Sequence, residues 1–192
     1  YIAAKAIVLS GSYMLFERHR ASPPKEAFED IKYSTPNISG RMDNLRAAVL
    51  RPQVADLSTQ CARWNDRYYT IEAGLRDAPG LTVIERPPQE TIVGSSIQFL
   101  LLDWAASAVR DVLARCGARG VELKWFGAPE PVAFTSKYDS WQYAPSAPMA
   151  ASDRVLAGIV DMRVPLTFSL EDCELIARII RAEVGAVYQA AP

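Results

Sequence analysis

The chain has 192 residues, 49% of them hydrophobic and 22% charged, with a net charge of −1. That composition is ordinary for a globular protein. The absence of a basic block argues against nucleic acid as a partner, and no apolar run approaches the ~20 residues that cross a bilayer. Cys61, Cys116 and Cys173 are odd in number and far apart, which suits neither a disulfide framework nor a metal site. Each is expected as a small buried residue on the apolar face of a helix, in a reducing, cytoplasmic setting.

In chain order, residues 1–9 read as the end of an interrupted helix, consistent with a chain cut from something longer. No basic leader or cleavage site precedes them, so a signal peptide is not expected. Ser10-Gly11-Ser12-Tyr13 breaks the helix as a plain turn. Pro23-Pro24 and Pro36 punctuate the polar and aromatic residues 14–36. His19, the only histidine, lies between Arg18 and Arg20 and reads as a surface residue.

A polar turn then runs into a helix: Asn37-Ile38-Ser39-Gly40-Arg41-Met42-Asp43-Asn44-Leu45. Asp43 or Asn44 is positioned as its N-cap, and Leu45, Ala48 and Val49 share an apolar face. A helix start offers free N–H groups and partial positive charge. Arg41 adds a planar fork suited to phosphate or carboxylate. Two readings stay open: an anion-contact turn, or an ordinary loop-to-helix junction with a solvated arginine.

Pro52 is expected to end or kink this helix. A longer one follows, where Leu57, Cys61, Trp64, Tyr68, Ile71 and Leu75 form one stripe at spacings of three and four. The stripe is expected to pack against a domain or a partner subunit, and Pro79-Gly80 stops the helix. Strands are expected at residues 81–84, 95–102 and 121–126. Between the last two lies a helix capped by Asp103, with Val109, Val112, Leu113 and Cys116 inward and Gly117 and Gly120 at its end. Residues 127–152 read as a long structured loop rich in proline, glycine and aromatics. A short helix over 154–160, an extended piece over 161–166 and a last helix capped by Ser169 complete the order. Cys173, Ile176, Ile180, Val184 and Val187 are that helix's apolar stripe. The pattern predicts an α+β layer, with helices on one face of a small, mostly antiparallel sheet, preceded by long helices.

The ordered series Gly40-Arg41-Met42-Asp43-Asn44-Leu45-Arg46-Ala47-Ala48, Gln53, Arg63 and Tyr69 resembles the DegT-type (DegT/DnrJ/StrS) pyridoxal-phosphate aminotransferases. That family reads Asn-x-Arg-Met, an Ala-Ala pair, a Gln and a long helix carrying Arg and Tyr. The resemblance covers nearly the whole chain and matches the second half of such an enzyme. It implies the small C-terminal domain of a fold-type-I enzyme over residues 80–192. Long linking helices would occupy 43–79, and the tail of the large domain with its phosphate-contact turn 1–42. It implies pyridoxal 5'-phosphate as cofactor, a homodimer, and amino transfer from glutamate or glutamine to a keto acceptor, commonly a nucleotide-linked keto-sugar. The family's Schiff-base lysine lies before a glycine-rich strand, and neither is present here. None of Lys5, Lys25, Lys32, Lys124 and Lys137 sits in that context. The lysine is therefore expected from an N-terminal half, in the same original chain or a separate polypeptide, and no catalytic residue is assigned within these residues.

In the family the Asn-x-Arg turn reaches the neighbouring subunit's cofactor phosphate. Here Arg41 is preceded two positions earlier by Ser39, with Asn37 further back, so Asn37, Ser39 and Arg41 are the candidate cofactor contacts. Arg163, in Arg-Val-Pro-Leu-Thr before the last helix, resembles the carboxylate-gripping arginine of other fold-type-I aminotransferases. DegT-type sequences usually carry an apolar residue there. The alternative for Arg163 is a salt bridge to Asp161 or another acid. Lys124, Trp125, Lys137, Tyr138, Trp141 and Tyr143 place aromatics beside cations, either as a sugar or nucleotide pocket or as packing on a partner. A non-catalytic module dimerising through the 57–75 stripe is the competing reading for the whole chain.

Overall fold

The computed structural model describes residues 1–12, 22–36, 38, 44–130 and 138–190. They form two units: residues 1–52 with 128–149, and residues 53–127 with 150–192.

In the first unit, helix α1 (Ile2–Ile7) widens into a π-helical turn (Val8–Ser12). The expected break at Ser10-Gly11-Ser12 is thus a change of helical pitch, and the Ser10 hydroxyl donates to the Ile7 carbonyl at 3.0 Å. Ala4, Ile7 and Val8 pack with Phe28 and Ile31, which flank and lie on the short helix α2 (Glu26–Glu29). The segment 138–149 belongs to the same unit, where the Gln142 N–H donates to the Tyr33 carbonyl at 2.9 Å. Helix α3 (Asn44–Ala55) buries no residue and carries Pro52 inside it without stopping. The face expected to be apolar is present, but Leu45, Val49, Leu50 and Val54 are all exposed.

The second unit is built on a four-stranded sheet, β1 (Thr82–Val83), β2 (Ser96–Leu100), β3 (Lys124–Trp125) and β4 (Ile159–Arg163). Its spatial order is β1-β2-β4-β3, and every neighbouring pair is antiparallel. The two edge strands are shorter than their sequence runs, because each pairs over only two residues with the longer strand beside it. Ile97 and Phe99 on β2 stand opposite Met162 and Val160 on β4, and all four are buried. The α+β layer expected from the sequence is present.

Helices α4 (Leu57–Leu75), α5 (Ala106–Ala118) and α7 (Leu170–Ala190) supply the rest of this core through Tyr68, Ile71, Leu75, Val109, Val112, Cys116, Cys173, Ile180 and Val184. Only the C-terminal half of the α4 stripe is buried. Leu57 is exposed and Cys61 and Trp64 are half-buried, because the stripe runs beyond the end of α7 that covers it. Helix α6 (Ala150–Gly158) leads directly into β4.

Asp103 does not cap α5. The N-cap is Ala105, without a side-chain hydrogen bond. Asp103 adopts a positive φ of 63° and gives its carboxylate to the Arg154 guanidinium through two hydrogen bonds. Ser169 does cap α7: its hydroxyl accepts from the Asp172 N–H at 3.0 Å, and the Asp172 carboxylate accepts from the Ser169 N–H at 2.8 Å. Two donors left open by the helix start are thereby satisfied.

Helices α4 and α7 approach closely at a glycine. A Cβ at Gly74 would lie 2.6 Å from the Ala177 Cβ. One turn along, the Arg181 guanidinium donates to the Arg76 carbonyl at 2.9 Å and reaches the Gly74 and Asp77 carbonyls at 3.4 Å, covering the open end of α4. Gly74→Val should lower the unfolding free energy by about 1–3 kcal/mol through overpacking, and Ala177→Gly in the same chain should recover part of it. Denaturant unfolding of the single and double variants checks this.

Candidate functional site

Strand alternation builds the site. Successive side chains of a strand point to opposite faces, so the positions between the buried residues of β2 and β4 face outward. These are Ser96 and Gln98 on β2 and Asp161 and Arg163 on β4, with Lys124 on β3 across from Asp161. Ser96 stands opposite Arg163, and Gln98 opposite Asp161. The outer face of the sheet therefore carries a polar patch in a domain whose inner face is wholly apolar.

Within the patch the bonds are unevenly shared. The Gln98 side-chain amide donates to the Asp161 carboxylate at 2.6 Å and to the Ser96 hydroxyl at 2.9 Å. Asp161 is 8% exposed. Arg163 ends β4 in solvent, and among the described residues none forms a hydrogen bond or ion pair with its guanidinium. The expected alternative for Arg163, a salt bridge to Asp161, is absent. Pro165, which cannot donate to a ladder, lies two residues beyond, so pairing stops just past Arg163 with the Val164 N–H on the Ser95 carbonyl at 2.9 Å.

The other expected site residues are scattered. Asn37, Ser39 and Arg41, as well as Asp43, His19 and Lys137, lie outside the described residues. Trp125 is 6% exposed on the inner face, donates its indole N–H to the Ala157 carbonyl at 2.8 Å and lies 5.9 Å from the Arg110 guanidinium. Lys124 and Trp125 are consecutive on a strand, so they point to opposite faces and cannot line one pocket. Tyr138 sits in a 3-10 turn of the first unit, where its hydroxyl reaches the Ala147 carbonyl at 3.4 Å, and Trp141 stacks with Tyr143 at 6.0 Å. Ser96, Gln98 and Asp161 were not among the expected site residues. Their signal was the polar half of the alternation in Ser-Ile-Gln-Phe-Leu and Val-Asp-Met-Arg.

Two grooves lie elsewhere on the second unit. One, of about 760 Å³, runs between α4 and residues 81–92. Arg86 crosses it, held over the Tyr68 ring at 5.5 Å and bonded to Glu90 at 2.7 Å. The other, of about 610 Å³, is floored by the stacked Trp104 and Tyr188 at the end of α7. Neither is lined by Arg163. Among the described residues, no group of His, Cys, Asp and Glu is placed to hold a metal ion, and no helix is long and apolar enough to cross a membrane.

Lys32 does not suit an amine that must lose its proton. Burial draws the Lys32 pKa down, but the hydrogen bond and charge of Glu29 at 2.7 Å outweigh it, and the net direction is upward. A lysine that carries a cofactor needs the opposite shift. Burial, reinforced by Glu183, likewise pushes the Cys116 thiol up to about 11, which makes it a poor nucleophile at neutral pH.

The fold has counterparts among solved aminotransferases. TlmJ from Streptoalloteichus hindustanus matches with a TM-score of 0.61 and 17% identity, over 73% of this chain and 36% of its own. 3-Amino-5-hydroxybenzoic acid synthase matches at 0.60 and 19%, over 90% and 46%. Helicobacter pylori PseC, an aminotransferase involved in pseudoaminic acid biosynthesis, matches at 0.61 and 12%, over 82% and 40%. The fold is that of part of these solved proteins. Residues 12–181 match the DegT/DnrJ/EryC1/StrS aminotransferase family, and the chain belongs to it. It spans less than half the length of each of these three solved enzymes. No curated protein matches it in sequence.

The hydrogen bonds and charge of the Arg154 guanidinium hold the Asp103 carboxyl below its ordinary value of 3.8, against the opposing effect of burial. A carboxyl lowered in the folded state stabilises above its unfolded value and loses that contribution as pH falls through the lower folded one. The Asp103 carboxyl carbon should therefore titrate below 3.8 by NMR. In Arg154→Gln the midpoint should return to the ordinary value.

Proposed function

We propose that this chain is the C-terminal part of a pyridoxal-phosphate aminotransferase in which Arg163 holds the carboxylate of the amino donor, glutamate or glutamine. The observation that carries the reading is the guanidinium at the end of β4, which has no hydrogen-bond or ion-pair partner among the described residues, on the polar outer face of the sheet. A guanidinium fork binds a carboxylate through two parallel hydrogen bonds, which fixes both position and orientation. Family membership supports the reaction class. The cofactor, when bound, supplies an electron sink for amino transfer. The lysine that carries it comes from an N-terminal half outside this sequence.

The acceptor is a keto compound, and a nucleotide-linked keto-sugar fits the family. Asn37, Ser39 and Arg41 contact the cofactor phosphate, across a homodimer in the family's manner. The three cysteines are unpaired, which suits a reducing compartment such as the cytoplasm. A second reading rests on a separate observation. Helix α3 leaves Leu45, Val49, Leu50 and Val54 exposed, a surface suited to a non-catalytic dimerising module.

Borohydride reduction of the native protein with pyridoxal phosphate, followed by peptide mass mapping, separates these. The cofactor mass is expected on a lysine outside residues 1–192. Its appearance on Lys5, Lys25, Lys32, Lys124 or Lys137 overturns the assignment, and no uptake by any chain favours the module. In the active enzyme, Arg163→Gln should lower kcat/KM for the amino donor by roughly 10²-fold, the loss of one bidentate charged pair at about 1.5–3 kcal/mol.

A further inference from the structure

We infer that Gln98 is a positioning residue: by occupying the Asp161 carboxylate, it keeps the Arg163 guanidinium open for an incoming carboxylate. The inference rests on the reading of Arg163 above and assigns a residue that acts on it indirectly.

The geometry creates a local competition. Asp161 and Arg163 are two apart on β4, so their side chains emerge on the same face about 6.6 Å apart along the strand. An arginine readily spans that distance, and a neighbouring carboxylate is its natural partner. A guanidinium already committed to Asp161 would have to be released before it could take a ligand. The affinity for any carboxylate would then fall by the strength of the internal pair.

Asp161 is instead turned to the neighbouring strand. Gln98 stands directly opposite it in the register and donates to it at 2.6 Å. The same amide nitrogen donates its other hydrogen to Ser96 at 2.9 Å, and Ser96 is the residue opposite Arg163. The amide is thus held from two sides, and one oxygen of the nearly buried carboxylate is engaged. Lys124 stands across from Asp161 in the register on the other side. Ser96 is left facing the open guanidinium with a hydroxyl that can serve the same ligand. The ligand class is a carboxylate such as an amino acid presents.

The test uses the native enzyme that contains this chain, titrated with succinate while the Ser96 and Val164 amide resonances are followed by NMR. Inorganic phosphate is titrated in parallel, to tell a carboxylate site from a general anion site. The wild-type chain should show a saturable shift with succinate, and Arg163→Gln should abolish it. Gln98→Leu, which removes the amide at a half-buried position, should weaken succinate about fivefold, the upper range for a partly exposed ion pair. Gln98→Leu with Asp161→Asn should restore the wild-type affinity, because the competing acid is gone. A misfolded variant could not be rescued in that way. If Arg163→Gln still binds succinate, the reading of Arg163 fails. If Arg163→Gln loses binding while Gln98→Leu matches the wild type, or the double variant stays weak, the role of Gln98 is overturned. Equal affinity for phosphate would overturn the carboxylate assignment alone.

Discussion

The pairing of β2 with β4 is the constraint on which the second unit depends. Five successive residue pairs, Ser96–Arg163 to Leu100–Ile159, set the register. A slip of one residue would exchange every side chain between faces. Val160 and Met162 would then stand in water, and Asp161 and Arg163 would be driven into the apolar core at a cost of several kcal/mol for each unpaired charge. The register is therefore strongly specified by burial. The same burial delivers two cations and a carboxylate to the outer face without any residue dedicated to placing them.

Helix packing enforces this arrangement from the inner side. Helix α7 crosses α4 at Gly74 and Ala177, where the absence of a side chain lets the backbones come close. Gly94 lies against Tyr68 in a similar way, and Asn65 ties the residues before β2 to α4 by accepting from the Gly94 N–H and donating to the Ile92 carbonyl. These contacts leave little freedom for β2 to shift along β4. Chemistry on the outer face thus rests on glycine-sized gaps on the inner one.

Electrostatics in the second unit follow a simple division. Charges pair within helices, Glu72 with Arg76 and Asp111 with Arg115, and between elements, Arg119 with Glu183 and Asp103 with Arg154. Most of these pairs are screened and contribute little to stability. Arg163 departs from the pattern, since an acid lies two residues away on its own strand and is bonded elsewhere.

Much was legible in the chain itself. The three-and-four spacing along α4 and α7, the Ser169 cap and the apolar run of β2 determined those helices, one long strand and the α+β class, because those signals depend on neighbours in sequence; β4 was expected only as an extended piece over 161–166, and it begins at Ile159, inside the helix expected over 154–160. The ordered residues from Gly40 to Tyr69 pointed to the family. What only the tertiary structure decided was partnership. Asp103 looked like a cap and is the ion-pair partner of Arg154, 51 residues away. Trp125 looked like a pocket residue and is core. Gln98, unremarked in sequence, holds Asp161 at a separation of 63 residues. The reason is physical: a strand's periodicity says that its faces differ, but which face is buried, and which side chain stands opposite which, is set by a register that only the folded sheet defines.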